Sequence, residues 1–238
     1  MRRRGSALLL AVALAVAGAG CSDDEKKPGG GGGDDPTPEE VLALAKTTLD
    51  ETSGVKISLE TDEVPSGVTG IKSATGIGAH PAAFKGDFEL SVNGLPATAE
   101  VIAVDGVTYA KNSLLLPDWT AIDPADYGAP DPAKLMDPDG GFSGLLSAAE
   151  DVKTGESVRG GKDNKEVLTE YTGTISSDAV AALIPAAEGD FSFTYTISDD
   201  DELREAVIKG AFYGKDEGDV TYTLTLDDYG TEKEITAP

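Results

Sequence analysis

The sequence predicts an α+β protein built on one large antiparallel sheet with helices packed on one face. The first observation is the alternation of apolar and polar residues, typical of half-buried strands, in segments 55–61, 88–92, 191–197 and 220–226. The second is Asp105-Gly106 between the apolar runs 101–104 and 107–109, which predicts a two-residue hairpin. The third is the order helix, strands, helices, strands, which favours a sheet covered by a separate helical layer.

A helix precedes the first of these strands. Thr37 and Glu40 have the spacing of a capping box, and Pro38 takes the first helical position. The pattern ends at Gly54. One face of this helix carries Val41, Leu42, Ala45, Thr48 and Leu49. The helix is therefore amphipathic and should cover another layer of the fold.

The middle of the chain has a different pattern. Residues 119–141 are dense in Pro, Asp and Gly, which predicts an irregular segment with short helical turns near 132–136. A helix is expected at 142–151. Another follows Ser177 and ends before Pro185.

Composition and charge exclude several functions. The chain has 238 residues, with 19 Lys and Arg against 43 Asp and Glu, and its formal net charge is −24. Nucleic-acid binding is excluded, because a phosphate backbone requires clustered cations. One Cys and one His supply neither a zinc site nor a disulfide, so we expect no metal and no cofactor.

The N-terminus has the layout of a secretory signal peptide. Three arginines precede an apolar run that ends at Gly20 and is too short to span a bilayer. Gly18-Ala19-Gly20-Cys21 resembles a bacterial lipobox, although Gly18 stands where Leu is usual. We therefore expect residues 1–20 to be a lipoprotein signal peptide and Cys21 to be lipidated, which would anchor the protein on the extracytoplasmic face of the cell membrane. An ordinary signal peptide cut near Cys21 is the alternative.

Residues 21–36 are expected to be a flexible tether, because this segment is acidic and glycine-rich and has no apolar anchor. Its extended reach is at most roughly 55 Å. The folded domain is expected at 37–238, a length that can bury about 70% of the surface of the unfolded chain. Its acidic surface is repelled by anionic lipid headgroups, so the domain should stand off the membrane.

No motif for catalysis is complete. Gly141-Phe142-Ser143-Gly144 lacks the closing glycine of a nucleophile elbow, and His80 is the single histidine, expected in an exposed turn before Pro81. The segment 137–141 resembles the start of a calcium loop but has Phe142 where a glycine is required. The acidic run 199–202 indicates a solvated turn between two strands. We therefore predict that the protein is not an enzyme.

A series of short motifs along the domain carries a family resemblance. In order they are Val64-Pro65, the segments 81–86 and 104–110, Trp119, and the segments 135–141, 156–160, 171–175 and 235–238. Their order and spacing resemble the actinobacterial lipoprotein family of LppX, LprA, LprF and LprG over about two hundred residues, all of the predicted domain.

The resemblance implies a fold like that of the lipoprotein carrier LolA. This is a strongly curved antiparallel half-barrel whose concave face is covered by helices, with an apolar cavity between them. It also implies binding of multiply acylated lipids or glycolipids and their transfer from the inner membrane to the outer cell envelope, in some cases beside a membrane transporter. We expect the protein to be a monomer.

The cavity lining is predicted from alternation alone. The strand candidates are Ile57, Leu59, Phe88, Leu90, Val92, Val101, Ala103, Phe193, Tyr195 and Val207. The helix candidates are Leu135, Leu145, Leu146, Leu183 and Ile184. Each of them could equally be plain core, because alternation marks a buried face without showing what lies against it.

The sequence alone leaves two other functions open. The first is a surface interaction or envelope-structural lipoprotein with no open lipid cavity. The second is a hydrolase on a similar scaffold, which would depend on His80 or on a particular acidic residue.

Overall fold

The computed structural model describes residues 36–92, 94–127, 129–161 and 164–238. Within these ranges eleven strands form one antiparallel sheet. The strands are β1 (Gly54–Glu60), β2 (Gly70–Ala79), β3 (Ala83–Val92), β4 (Leu95–Val104), β5 (Val107–Asn112), β6 (Leu116–Ile122), β7 (Ala149–Gly160), β8 (Glu166–Ile175), β9 (Glu188–Ser198), β10 (Leu203–Ala211) and β11 (Val220–Asp227). The predicted large antiparallel sheet is confirmed.

Within the same described ranges there are three α-helices, two of which are short. They are α1 (Pro38–Glu51), α2 (Gly144–Ser147) and α3 (Ser177–Ala181), with 3₁₀ turns at Pro124–Tyr127, Lys134–Met136 and Lys215–Glu217. Among the described residues, no helix is both long enough and apolar enough to cross a membrane.

The predicted capping box of α1 is confirmed. The backbone N–H of Glu40 donates to Thr37 Oγ1 at 3.3 Å, and Glu40 Oε2 accepts from the backbone N–H of Thr37 at 2.8 Å. Pro38 occupies the first helical position, where its missing N–H costs nothing. The buried face consists of Val41, Leu42, Ala45 and Leu49. The sequence thus sets both the start of this helix and the side that packs inward.

Replacing Thr37 by Ala should lower the free energy of unfolding by about 1 kcal/mol, because the side-chain cap of α1 is lost. Urea unfolding followed by circular dichroism measures this change. Thr47→Ala in the same helix is the matched control, since Thr47 is exposed and its hydroxyl only bonds back to the Ala43 carbonyl. A loss of equal size in both variants would contradict a capping role for Thr37.

The strand order places two meanders side by side. The order across the sheet is β6-β5-β4-β3-β2-β1-β11-β10-β9-β8-β7, so the first and last strands pair in its interior. In this pairing Ile57 lies opposite Leu226, and Leu59 lies opposite Leu224. The sheet is open, with β6 and β7 at the edges of the described part.

The hairpin predicted at Asp105-Gly106 is confirmed. Val104 pairs with Val107, and the two turn residues have φ values of 54° and 73°. Positive φ at both central positions is what this tight turn requires. The predicted turn at 199–202 is also confirmed, because it joins β9 to β10.

Two predicted boundaries are wrong. The expected helix 142–151 is reduced to α2, and β7 begins at Ala149. The signal for β7 was absent because this edge strand is mostly exposed and charged along its length, so neither face alternates in hydrophobicity. Trp119, expected in the irregular segment, lies in β6.

The environment of His80 also differs from expectation. The His80-Pro81 peptide is cis, and the side chain is half-buried. Its Nδ1 lies 2.7 Å from the carbonyl oxygen of Thr52, at the end of α1. The prediction of an exposed histidine is therefore wrong: the ring connects the β2–β3 turn to the end of the helix.

The main core lies where the helices meet strands β8 to β11. It joins Leu42 of α1, Leu146 of α2 and Val180 of α3 with Phe191 and Tyr195 of β9. All five side chains are almost fully buried. The helices therefore pack on the half of the sheet that contains the last strands.

Candidate functional site

An apolar pocket of about 150 Å³ lies beside this core; we call it the inner pocket. Its strand wall comes from five neighbouring strands, β3, β2, β1, β11 and β10. The residues of this wall are Ile57, Leu59, Ile71, Ala74, Phe84, Phe88, Ala206, Ile208, Tyr222, Leu224 and Leu226. None of them is charged.

Strand register explains why these side chains meet. Leu59 pairs with Leu224 on one side and with Ala74 on the other. Ala74 in turn pairs with Phe88, and Leu224 pairs with Ala206. Directly paired residues of neighbouring strands project to the same face, so these five residues form one apolar row across the sheet.

A bulge in β2 adds Ile71 to the same wall. Ile71 and Ala74 are three residues apart, and in a regular strand they would face opposite sides. The register shifts between Ile71 and Ser73, so that Ile71 pairs with Leu90 and Ala74 pairs with Phe88. The extra residue restores both side chains to the face of the pocket.

The opposite wall comes from the helices and from the segment that connects the two edge strands. α1 contributes Leu49, and α3 contributes Val180. The connecting segment, residues 123–148, contributes Pro130, Pro132, Leu135, Met136, Phe142 and Leu145. This segment passes from one edge of the sheet to the other, and its lining residues place it over the face that carries the apolar row.

A glycine allows this segment to approach closely. A Cβ atom at Gly78 of β2 would lie 2.5 Å from Met136 Sδ and 2.8 Å from Ile57 Cδ1. The missing side chain lets Met136 pack directly on the sheet beside the pocket.

Two tyrosines, Tyr213 and Tyr222, supply the side-chain hydroxyl groups in the lining of the inner pocket. Tyr222 donates its hydroxyl hydrogen to the Ile71 carbonyl at 2.6 Å, and Tyr213 Oη lies 2.5 Å from Tyr222 Oη. Because Tyr222 has used its single proton, Tyr213 is the donor in the second bond. Burial raises the pKa of both hydroxyls above the usual value of a tyrosine. Both therefore stay neutral, and the wall carries no charge.

A larger outer pocket of about 930 Å³ adjoins the inner one. The two share Pro130, Leu183, Ile184 and Tyr213. The outer pocket also contains polar groups, such as the buried Thr108, whose Oγ1 lies 3.4 Å from Asp131 Oδ1. A ligand with an apolar end and a polar end could thus extend from one pocket into the other.

Seven of the predicted lining residues line the inner pocket. They are Ile57, Leu59, Phe88, Leu135, Leu145, Leu183 and Ile184. They come from two strands, the connecting segment, α2 and the turn after α3.

Eight others lie elsewhere. Leu146, Phe193 and Tyr195 belong to the filled core under the helices. Val101 and Ala103 of β4 are buried, and Leu90 and Val92 of β3 are half-buried, all outside the lining. Val207 lies between Ala206 and Ile208, which line the pocket, so its side chain projects to the opposite face.

Sequence reasoning missed several lining residues, and for some of them a signal existed. Tyr222, Leu224 and Leu226 are on one face of the predicted strand 220–226. Their alternation could have placed them with Ile57 and Leu59. Ile71 and Ala74 gave no such signal, because the bulge breaks the alternation of β2.

The chemical motifs considered in the sequence do not assemble in the described part of the chain. Among those residues, no three His, Cys, Asp or Glu side chains are close enough together to hold a metal ion. Asp137, in the segment that resembles a calcium loop, uses Oδ1 to accept from the backbone N–H of Asp139 at 3.0 Å. That carboxylate is part of a local turn.

The fold and the pocket define a class of protein: an open antiparallel sheet, covered by a few short helices, with an uncharged pocket against one face. The chain belongs to the LppX_LprAFG lipoprotein family, whose model matches residues 37–236. The family resemblance seen in the sequence is confirmed. No curated protein sequence matches the chain.

Two solved structures have a similar fold. LprF from Mycobacterium bovis superposes with a TM-score of 0.66 at 17% identity, over 86% of this chain and 98% of that one. The lipoprotein LppX from Mycobacterium tuberculosis superposes with a TM-score of 0.61 at 19% identity, over 85% of this chain and 100% of that one. At such low sequence identities, the similarity to these two structures shows a shared fold.

Proposed function

We propose that this protein is a membrane-anchored lipoprotein that binds acylated lipid or glycolipid and carries it between the inner membrane and the outer cell envelope. The observation that carries the proposal is the uncharged inner pocket, lined by apolar side chains from five strands and the opposing segment. Each methylene moved from water into such a pocket contributes about 0.8 kcal/mol. An acyl chain is therefore a suitable ligand.

The two adjoining pockets suggest where the apolar and polar parts of the lipid would bind. The inner pocket takes acyl chain, and the outer pocket, which contains Thr108, Asp131 and Lys134, faces the more polar part of the molecule. In this proposal the sheet is a LolA-like half-barrel, and the helices cover its concave face. The half of the sheet near β8 and β9 is filled by core, so the ligand lies towards β1, β2 and β3.

The anchor belongs to the same proposal. Residues 1–20 as signal peptide, Cys21 as lipidated residue and most of the 21–36 tether lie outside the described residues. Membership of a lipoprotein family supports lipidation at Cys21. The domain 37–238 would then be held on the extracytoplasmic face of the cell membrane, as a monomer, within reach of a membrane transporter that supplies its lipid.

In this proposal the protein binds lipid and catalyses no reaction. The lining of the inner pocket contains no charged group and no nucleophile paired with a base. A cell-surface interaction or structural lipoprotein with no open lipid cavity is the second candidate.

Native mass spectrometry of residues 36–238, produced in a related bacterial host, tests the proposal. These residues form one compact unit. We expect acyl lipid to copurify at close to one molecule per protein, and extraction would identify its class. A protein that is empty and also takes up no lipid from vesicles would reject the carrier and favour the structural candidate.

A further inference from the structure

Two hairpin tips at one corner of the sheet expose large apolar side chains. Successive turns of a meander alternate between the two ends of its sheet, so the β3–β4 and β5–β6 turns lie at the same end. Leu95 after the first turn is 70% exposed, and Leu114 and Leu115 in the second are 87% and 80% exposed. A single exposed leucine is ordinary, but three on neighbouring hairpin tips at the same end of the sheet require an explanation. We call these three residues the leucine corner.

The second tip is held in place by one side chain. Asn112 Oδ1 accepts from the backbone N–H groups of Leu114 at 2.8 Å and Leu115 at 3.0 Å. The amide of the same side chain donates to the carbonyl of Thr98 in the neighbouring strand β4. The two leucines are thus presented to solvent on a turn that is bonded to the adjacent hairpin.

The two tips of the leucine corner contain no acidic residue, although the chain has 43 of them. Residues 90–99 and 106–117 contain no Asp or Glu, and they include one cation, Lys111. The β10–β11 turn at the same end of the sheet contains Asp216, Glu217 and Asp219. The two tips therefore differ from the β10–β11 turn in both hydrophobicity and charge.

We propose that the leucine corner inserts into the surface of a lipid bilayer; this inference rests on the proposed function, in which the domain exchanges lipid with a membrane. Leucines that enter the headgroup region gain apolar burial, while acidic groups there would be repelled by anionic lipid. The tether from Cys21 to Pro36 spans at most roughly 55 Å when extended, so an anchored domain stays within reach of its membrane. Three side chains are too few for a stable dimer, which buries about 800 Å² on each partner.

The test uses the full-length protein acylated at Cys21 and reconstituted in vesicles of phosphatidylethanolamine and phosphatidylglycerol. Ser113→Cys places the reactive thiol beside the leucines, where an environment-sensitive fluorophore is attached. Two control proteins carry the same label at other positions. Asp216→Cys is at the same end of the sheet, and Asp200→Cys is in the β9–β10 turn at the opposite end. We expect a several-fold rise in fluorescence at position 113, quenching by brominated lipid, and little change at the two controls.

Replacing both Leu114 and Leu115 by Ser in the Ser113→Cys protein should reduce the rise to the level of the controls. Equal signals at all three labels would overturn the inference. So would a rise at position 113 that brominated lipid does not quench, because it would indicate a protein partner or a second copy. Copurified lipid is measured on the same preparations. If lipid copurifies but the label at position 113 stays in water, the membrane-insertion inference is rejected and the proposed function stands. If the label inserts but no lipid copurifies, the proposed function is rejected and the insertion stands.

Discussion

Replacement of Leu59 by Trp is expected to remove most of the copurified lipid. Leu59 lies in the middle of the apolar row, paired with Leu224 and Ala74. The indole would occupy part of an inner pocket of only about 150 Å³. Excluding just two methylenes of an acyl chain would weaken binding about tenfold, because each contributes about 0.8 kcal/mol.

The matched control is Lys56→Trp. Lys56 is on the same strand, exposed and on the opposite face, so the same indole is added outside the pocket. Lipid per protein is measured for both variants by native mass spectrometry, after urea unfolding has shown that both are folded. Full occupancy in a folded Leu59→Trp protein would mean that the lipid binds elsewhere.

Replacement of Gly86 by Ala is expected to lower the free energy of unfolding by about 3 kcal/mol, the upper end of the usual range for overpacking. Gly86 pairs with Gly76 of β2. A Cβ atom at Gly86 would lie 2.1 Å from the carbonyl oxygen of Thr75 and 2.7 Å from the Cα atom of Gly76. Both contacts are with backbone, so no rotamer change can relieve them.

The same substitution should disturb the pocket. The ring of Phe84, which lines the inner pocket, lies over this glycine pair, with Cζ 2.8 Å from the Cβ position at Gly86. Gly140→Ala is the control, because no atom lies within 4 Å of the added carbon. Urea unfolding should place Gly140→Ala within about 0.5 kcal/mol of the wild type. Equal stability of the two variants would show that the sheet tolerates a side chain at the Gly76–Gly86 pair.

The sequence predicted those elements that have a clear capping motif or a clear hydrophobic period. The Thr37 capping box located α1, and the alternation of apolar residues with threonines located β11, because one face of that strand is buried and the other is solvated. β7 could not be found in this way, since an edge strand with charged side chains on both faces has no hydrophobic period.

The candidate site was harder to predict, for two physical reasons. Val207 and Ile208 are both apolar and adjacent, so the sequence does not show which of them faces inward. Tyr195 pairs with Ala206 and is therefore on the pocket face, but helices fill the space above it. Whether a buried face meets core or a pocket depends on the layer that covers it, and strand alternation contains no information about that layer.

The pairing of β1 with β11 has a consequence for biogenesis. Strand β1 is the first strand to leave the ribosome or a translocation channel. It can pair with β2 as soon as β2 emerges, but its other partner, β11, emerges last. Until then β1 and β10 present unpaired backbone edges, which are prone to intermolecular association. A chain that ends before β11 would keep both edges permanently, so truncated products should aggregate or be degraded.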